Sequence, residues 1–288
     1  MEHPAKTPPA ADAAPLEPAD AACLEQAGLP REAAAAWLAG DNAVDSDYRR
    51  AADALSQRLR RGGELLAKLP PKPARNAAEA AAGRLLLERD RAARDRFLVV
   101  HVETIYRRLT RDYGAFVRVE RLVQEAAAVL PGLVPDAARL AQEGTLQQQH
   151  KDGAEIDQGI FLSRVLAHPV AGAHLCHAML LPRPEALAQR QRFLEHGSLA
   201  LESASVERRG KAAIVTMRNR RFLNAEDETT LDDIETAADL ATLDPETDIA
   251  VLRGDRVDHP KYRGRRVFSA GINLTHIYHG KISYVWYI

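Results

Sequence analysis

The feature that most constrains this chain is a change of texture at about Gly197. Before it, alanine, leucine, glutamate and arginine dominate, residues with high intrinsic helix propensity. After it come short β-type runs, Leu199–Val206, Ala212–Met217 and Ile249–Leu252, separated by turn residues. Helical and β-type patterns bury their apolar faces differently, so the two halves call for different layers. The sequence therefore predicts an α+β (α/β) protein in two parts, a helical domain over residues 21–196 and a second domain over 197–288. Residues 1–20 hold five prolines and several alanines with almost nothing large to bury, and read as a disordered leader. No fixed repeat is apparent, which argues against a solenoid.

Within the helical part several boundaries can be read. Arg31–Leu38 is a short helix stopped by Gly40. Asp45 or Asp47 can cap a helix that runs to Arg61 and ends at Gly62-Gly63. The prolines at 70, 71 and 73 break the chain, because each removes a donor and fixes φ. Asn76 then opens the longest helical pattern, to about Leu109, with one charged face. Further helices are expected over Asp136–Gln149, Ile156–Leu166, Gly172–Leu181 and Glu185–His196. In the second part the pattern is strand, turn at Arg208-Arg209-Gly210, strand, helix over Asp227–Thr242, strand at Ile249–Leu252, short strand at Val267–Ser269, and a helix at Leu274.

Charge narrows the function classes. There are 39 Lys+Arg against 40 Asp+Glu, a formal net charge of −1, so no overall basic surface exists to bind nucleic acid. Two cysteines, Cys23 and Cys176, cannot make a disulfide framework, and this points to a reducing, cytoplasmic setting. No run approaches the roughly eighteen apolar residues of a membrane span, and the first residues lack the apolar stretch of a signal peptide. Neither nucleic acid nor membrane is expected as a partner.

Most candidate chemistry is weak. His174, Cys176 and His177 share a helix and can ligate zinc in principle, but no further ligands have the usual spacing, and ordinary surface histidines are the better reading. His276 and His279 repeat the spacing and are read in the same way. Nucleophile-elbow, phosphate-loop and dinucleotide fingerprints are all missing.

The informative stretch is Ala212–Leu274. It carries Ala213-Ile-Val-Thr-Met217, then Arg218-Asn-Arg-Arg-Phe-Leu-Asn224-Ala225, a helix, Ile249-Ala-Val-Leu-Arg-Gly254, and Phe268-Ser-Ala-Gly-Ile-Asn-Leu274. In this order the elements resemble the opening of the crotonase (enoyl-CoA hydratase/isomerase) superfamily, over roughly residues 199–288. The turn departs from the family pattern, with Arg218 where its first Asn is usual. The resemblance implies a crotonase-type spiral fold, of which the second domain holds the opening ββαβ portion. It also implies that the N–H of Ile272, just after Gly271, donates to the thioester oxyanion; backbone donors already in place at such a turn stabilise developing charge without reorganising. Glycine allows the tight turn and close substrate approach.

Ile272, Asn273 where Asp is commoner, Glu226 after Asn224-Ala225, and the long helical domain narrow the resemblance. They are similar to the cofactor-independent dioxygenases of glycopeptide-antibiotic pathways that act on 3,5-dihydroxyphenylacetyl-CoA. The resemblance implies removal of a proton next to the thioester, direct reaction of the carbanion with O2, and release of an arylglyoxylate and CoA, with no metal or organic cofactor. Glu226 would then hydrogen-bond a phenolic hydroxyl, and Ile272 would line a dry pocket for O2. Asn224, Ala225, Ala270 and Asn273 are expected to line the substrate. His259, Lys261, Arg263 and Arg265 are expected at the CoA phosphates, although a solvated loop is an equally good reading of those cations. A homo-oligomer, trimer or hexamer, is expected by the same resemblance.

Two alternatives stay open. One is an enoyl-CoA hydratase/isomerase-type enzyme. The other is an inactive truncated or split fragment, because the family's second oxyanion donor comes from a later Gly-rich turn and the chain stops at Ile288 without one.

Overall fold

The structure is a computed structural model and describes residues 18–40 and 43–287. The expected leader therefore lies outside the described residues up to position 17. Its last three residues do not follow the expectation, since Pro18–Gln26 form helix α1. The chain divides into two compact units, the described residues up to Met179 and then Leu180–Trp286.

The first unit is helical throughout. After α1 come α2 (Arg31–Leu38), α3 (Tyr48–Leu66), α4 (Ala77–Leu109), α5 (Val119–Val129), α6 (Ala137–Gly144), α7 (Glu155–Ala167) and α8 (Pro169–Leu180). The 33-residue α4 is its axis and packs against α1, α3, α5 and α7. Asn76 starts α4 with a full capping box: its side chain accepts from the Glu79 N–H while Glu79 accepts from the Asn76 N–H. Asp47, the second of the two expected caps, opens α3.

Three helix expectations need correction. Helix α3 does not stop at Gly62-Gly63 but continues to Leu66. Gly62 is there for space: a Cβ would lie 2.0 Å from Asp90 Oδ2 and 3.0 Å from Trp37 Nε1. Its absence lets the indole of fully buried Trp37 donate to Asp90 at 2.9 Å. Helix α6 ends at Gly144 rather than Gln149. Helix α5 is an addition to the expected set, although Val119, Leu122, Val123 and Ala126 form a regular buried stripe at helical spacing.

The second unit opens with α9 (Pro184–His196), which ends on left-handed Gly197 at φ 65°. It continues with β1 (Ser198–Ala200), β2 (Ala204–Arg209), β3 (Ala212–Met217), α10 (Leu231–Leu243), β4 (Ile249–Gly254) and α11 (Leu274–Tyr278). The four-stranded sheet runs β1-β2-β3-β4. Its first two pairings are antiparallel and the last, β3 with β4, is parallel. Phe193 and Ala186 of α9 join Leu240 and Ala237 of α10 over Val206 and Val215. So α9, read from sequence as the end of the helical domain, is part of this unit's core.

The expected strand Leu199–Val206 is two strands, because the run folds back on itself and pairs Leu199 with Val206. Val267–Ser269 is not a strand; that region pairs only through isolated bridges, Arg256 with Arg266 and Glu226 with Ile272. Helix α10 starts at Leu231 rather than Asp227, since the Asp227 side chain instead accepts from Thr229 two residues on, an Asx-type turn. Among the described residues no single helix is long and apolar enough to cross a membrane, though the bent α7 and α8–α9 pair would pass together on length and composition.

Candidate active site

In an open α/β sheet, ligand sites lie beyond the carboxyl ends of parallel strands. Here β3 and β4 are the parallel pair, and two loops leave their carboxyl ends, residues 218–230 and 255–273.

The first loop closes on an asparagine pair. The Asn219 N–H donates to Asn224 Oδ1, and the Asn224 N–H donates to the Asn219 carbonyl, both at 2.9 Å. Leu223 and Asn224 hold φ of 57° and 55°, a left-handed bend that Asn tolerates better than most residues. The Asn224 amide then reaches across to the second loop, donating to the carbonyls of Asp255 and Val267, each at 2.8 Å. Gly254 makes room for that approach, since a Cβ there would sit 1.7 Å from the Val267 carbonyl oxygen.

The two loops also meet as a short parallel bridge between Glu226 and Ile272. The Glu226 N–H donates to the Gly271 carbonyl at 2.8 Å, and the Asn273 N–H donates to the Glu226 carbonyl at 2.9 Å. In this register the groups flanking Ile272 make the bonds, so its own N–H points to the other side. Among the described residues that N–H donates to nothing. Gly271 takes the turn at φ 81°, where no side chain is comfortable. Its N–H is already engaged with Ser269 Oγ at 2.9 Å, and Ser269 Oγ in turn donates to Glu226 Oε1 at 3.1 Å.

Behind the bridge sits Asp227, fully buried. Its Oδ2 accepts from the amides of Asn219 and Asn273, both at 2.8 Å. Its Oδ1 accepts from Thr229 N at 3.0 Å and Thr229 Oγ1 at 2.6 Å. Burial alone pushes its carboxyl up, but the hydrogen bonds from Thr229, Asn273 and Asn219 outweigh that and hold it below the ordinary value. Asn273 also caps α11, accepting from Thr275 N and His276 N.

Of the residues expected at a site, Glu226, Gly271 and Ile272 come together at one surface of the turn. Ala270 lies exposed beside them. Asn224, Ala225 and Asn273 are 0 %, 4 % and 2 % exposed, and both asparagine side chains are committed to the protein. Their part is to position the turn. Asn219, Asp227 and Ser269 also build the site, and sequence reasoning misses them. The only hint is the Asx-like spacing of Asn219 and Asn224.

His259, Lys261, Arg263 and Arg265 lie on an excursion between Asp255 and Arg266. His259 stacks on Tyr262, the Lys261 ammonium lies 5.2 Å from the Tyr262 ring, and Arg263 pairs with Asp258 at 3.0 Å. Arg265 is exposed. Among the described residues no hydrogen bond or ion pair ties these four to Glu226 or Ile272.

One group of side chains is close enough to hold a cation: Asp227, Glu228 and His276, with donor atoms all within 4.8 Å of one another. The donor set fits a cation poorly. Both Asp227 oxygens are already occupied by two N–H or O–H donors each, and amide hydrogens facing Oδ2 would confront an incoming cation. The cluster reads as a side-chain contact within the protein, His276 Nδ1 lying 3.0 Å from Glu228 Oε1. The sequence candidates at 174–177 resolve likewise. His174 is spent on the Tyr106 hydroxyl at 2.8 Å and the Tyr113 carbonyl at 3.1 Å.

No family model matches this chain. Among curated proteins, it is similar to the (3,5-dihydroxyphenyl)acetyl-CoA 1,2-dioxygenase of Amycolatopsis orientalis, with 46% identity over 232 residues. The match covers 81% of this chain and 54% of that enzyme, so the chain spans about half the length of the curated relative it matches.

Proposed function

We propose that this chain carries the carbanion-stabilising part of a cofactor-independent acyl-CoA dioxygenase that acts on (3,5-dihydroxyphenyl)acetyl-CoA or a close arylacetyl-CoA. The observation that carries the reading is the Glu226–Ile272 bridge, which leaves the Ile272 N–H without a protein acceptor, in a chain 46% identical over 232 residues to an enzyme named for that substrate.

The chemistry follows from the parts. A proton leaves the CH2 between ring and thioester, and negative charge builds on the thioester oxygen. The Ile272 N–H meets that charge from a fixed position, so no reorganisation is needed as it forms. The carbanion carbon adds O2 to form a peroxide, whose outer oxygen bonds the thioester carbon as the C–S bond breaks; loss of the second CH2 proton then cleaves the O–O bond and leaves the ketone, so the products are an arylglyoxylate and free CoA. All three product oxygens are accounted for by the thioester and one O2, and the two CH2 protons end on the acid and the thiol. Glu226, steadied by Ser269, accepts a hydrogen bond from a ring hydroxyl. The Ile272 side chain gives O2 an apolar neighbour. The exposed cations Lys261, Arg263 and Arg265, with His259, meet the CoA phosphates. No metal or organic cofactor takes part.

The same reading puts the four-stranded sheet at the opening of a crotonase-type spiral, in a cytoplasmic homo-oligomer. In this reading the Ile272 N–H is one oxyanion donor, and loss of one of two such donors typically lowers rate about 10²–10³-fold. The test is oxygen uptake and arylglyoxylate formation with (3,5-dihydroxyphenyl)acetyl-CoA, with and without a chelator. Chelator-insensitive uptake matched by product supports the reading. Hydration or isomerisation of enoyl-CoA substrates without oxygen uptake would overturn it in favour of a hydratase-type enzyme.

A further inference from the structure

Gly271 is exposed, holds φ of 81°, and has nothing within 4 Å of where a Cβ would stand. A glycine so placed changes backbone conformation at little steric cost, so packing does not fix the two peptide planes that flank it. Hydrogen bonds fix them instead. The plane after Gly271 carries both the Gly271 carbonyl and the Ile272 N–H, on opposite sides of a planar trans peptide. Its carbonyl accepts from the Glu226 N–H at 2.8 Å, and that bond orients the Ile272 N–H as well. The plane before Gly271 carries the Gly271 N–H, which donates to Ser269 Oγ at 2.9 Å. A short turn of this kind needs nothing more from a serine. Ser269 does more: its hydroxyl donates at 3.1 Å to Glu226 Oε1, on a residue 43 positions earlier in the facing loop. A hydroxyl that accepts and donates at once is polarised by both partners, which strengthens each bond. Glu226 therefore holds the turn twice, by its main chain at the Gly271 carbonyl and, through Ser269, at the Gly271 N–H. Its Oε2 accepts nothing among the described residues, so a ligand donor can take that oxygen without displacing the serine.

We infer that Ser269 is a positioning residue that ties recognition of the substrate ring at Glu226 to alignment of the oxyanion turn at Gly271–Ile272. The inference rests on the arylacetyl-CoA reaction proposed above and adds to it a residue that acts through two others. By holding Oε1, the hydroxyl keeps Oε2 in one place for a ring hydroxyl. By holding the Gly271 N–H, it stops the Ala270–Gly271 peptide from flipping, a change that would alter φ at Gly271 and draw the next plane off the Glu226 N–H. Substrate reading and charge stabilisation are then served by one hydroxyl.

The test compares Ser269→Ala, Glu226→Gln and the double variant with the parent 288-residue chain. Oxygen uptake gives kcat/KM on (3,5-dihydroxyphenyl)acetyl-CoA and on phenylacetyl-CoA, and amide exchange at Gly271 is followed without substrate. Ser269→Ala should speed Gly271 exchange about tenfold, since it removes the acceptor of that N–H. It should lower kcat/KM about 100-fold on the dihydroxyphenyl substrate, where turn and carboxylate are both released, and about 10-fold on phenylacetyl-CoA, where only the turn counts. In the Glu226→Gln background no charged acceptor remains to be aimed. There Ser269→Ala should lose about 10-fold on either substrate, so the two single losses do not multiply. A merely structural role for Ser269 gives equal losses on both substrates in both backgrounds. That result, or Gly271 exchange unchanged in Ser269→Ala, overturns the inference alone when the parent takes up oxygen. A parent that takes up none overturns the dioxygenase reading and this coupling with it.

Discussion

The Asn273 side-chain amide donates to Asp227 at 2.8 Å, and both residues are buried, 2 % and 0 % exposed. That single bond joins the helix-opening residue of α11 to the loop that follows β3. Through it, a carboxylate that touches no solvent determines where the neighbouring Ile272 N–H points. Asn219 completes the arrangement from the other side, also at 2.8 Å.

Asp227→Asn is expected to destabilise the second unit by about 1–3 kcal/mol, since it confronts two amide donors with a group that cannot accept from all four partners. The wild-type carboxyl titrates below its ordinary value, so its contribution is present above that value and lost as pH falls through the lowered one. Amide exchange at Asn273, whose N–H donates to the Glu226 carbonyl, should accelerate in the variant. Unchanged melting and exchange would remove Asp227 from this role.

Asn224→Ala deletes the amide that bridges the Asp255 and Val267 carbonyls. Two part-buried carbonyls then lose a donor, with an expected cost of about 2 kcal/mol in urea-induced unfolding. Asn224→Asp should be at least as harmful, because a carboxylate would face two carbonyl oxygens. Equal stability of both variants and the parent would contradict the bridging assignment.

Two glycines separate space from conformation. At Gly254 a Cβ would press on the backbone of Val267 and Phe268, whereas at Gly271 there is open space and the obstacle is φ of 81°. Gly254→Ala should cost about 3 kcal/mol, and Gly271→Ala about 1 kcal/mol while shifting the turn. Thermal melts of the two variants compare them directly, and a reversed order would refute this account.

Glu226→Gln tests the proposed ring contact. Loss of a hydrogen bond to a charged acceptor should lower kcat/KM for the dihydroxyphenyl substrate about 10- to 100-fold. With unsubstituted phenylacetyl-CoA, parent and variant should perform alike. A similar loss on both substrates would show that Glu226 does not read the ring hydroxyls.

In the helical unit, burial pushes the Asp90 carboxyl up to about 6 from 3.8, against the hydrogen bond from Trp37 and the charges of Arg94 and Arg58. The folded state thus holds this proton more tightly than the unfolded chain. Its stabilising contribution is complete below pH 3.8 and is lost as pH rises through about 6. Between about pH 7 and about pH 5 the parent should gain stability that Asp90→Asn does not. Parallel urea melts at the two pH values measure this, and identical pH dependence in both proteins would exclude it.

Much of the fold can be read because its causes are local. Asn76 with Glu79 begins α4, Asp47 begins α3, Gly197 ends α9, and short apolar runs bounded by glycine form β3 and β4. Misreadings come where a distant residue decides. Gly62 looks like a helix stop until Asp90 and Trp37 are seen to need its space. Leu199–Val206 looks like one strand because nothing local reveals that it pairs with itself. Val267–Ser269 has the composition of a strand, but its carbonyls are spent on Asn224 and the approach to Gly254.

The candidate site divides the same way. Local chemistry in the sequence marked the turn at Gly271, and the family resemblance pointed to Ile272 after it and Glu226 in the facing loop. Only the tertiary structure decided which side chains stand at the surface of the turn and which are buried in its scaffold. Asn224 and Asn273 sit in the same motifs as Glu226 and Ile272, and sequence cannot tell a polar group that faces solvent from one buried on partners tens of residues away. That distinction depends on desolvation, and desolvation belongs to the folded arrangement.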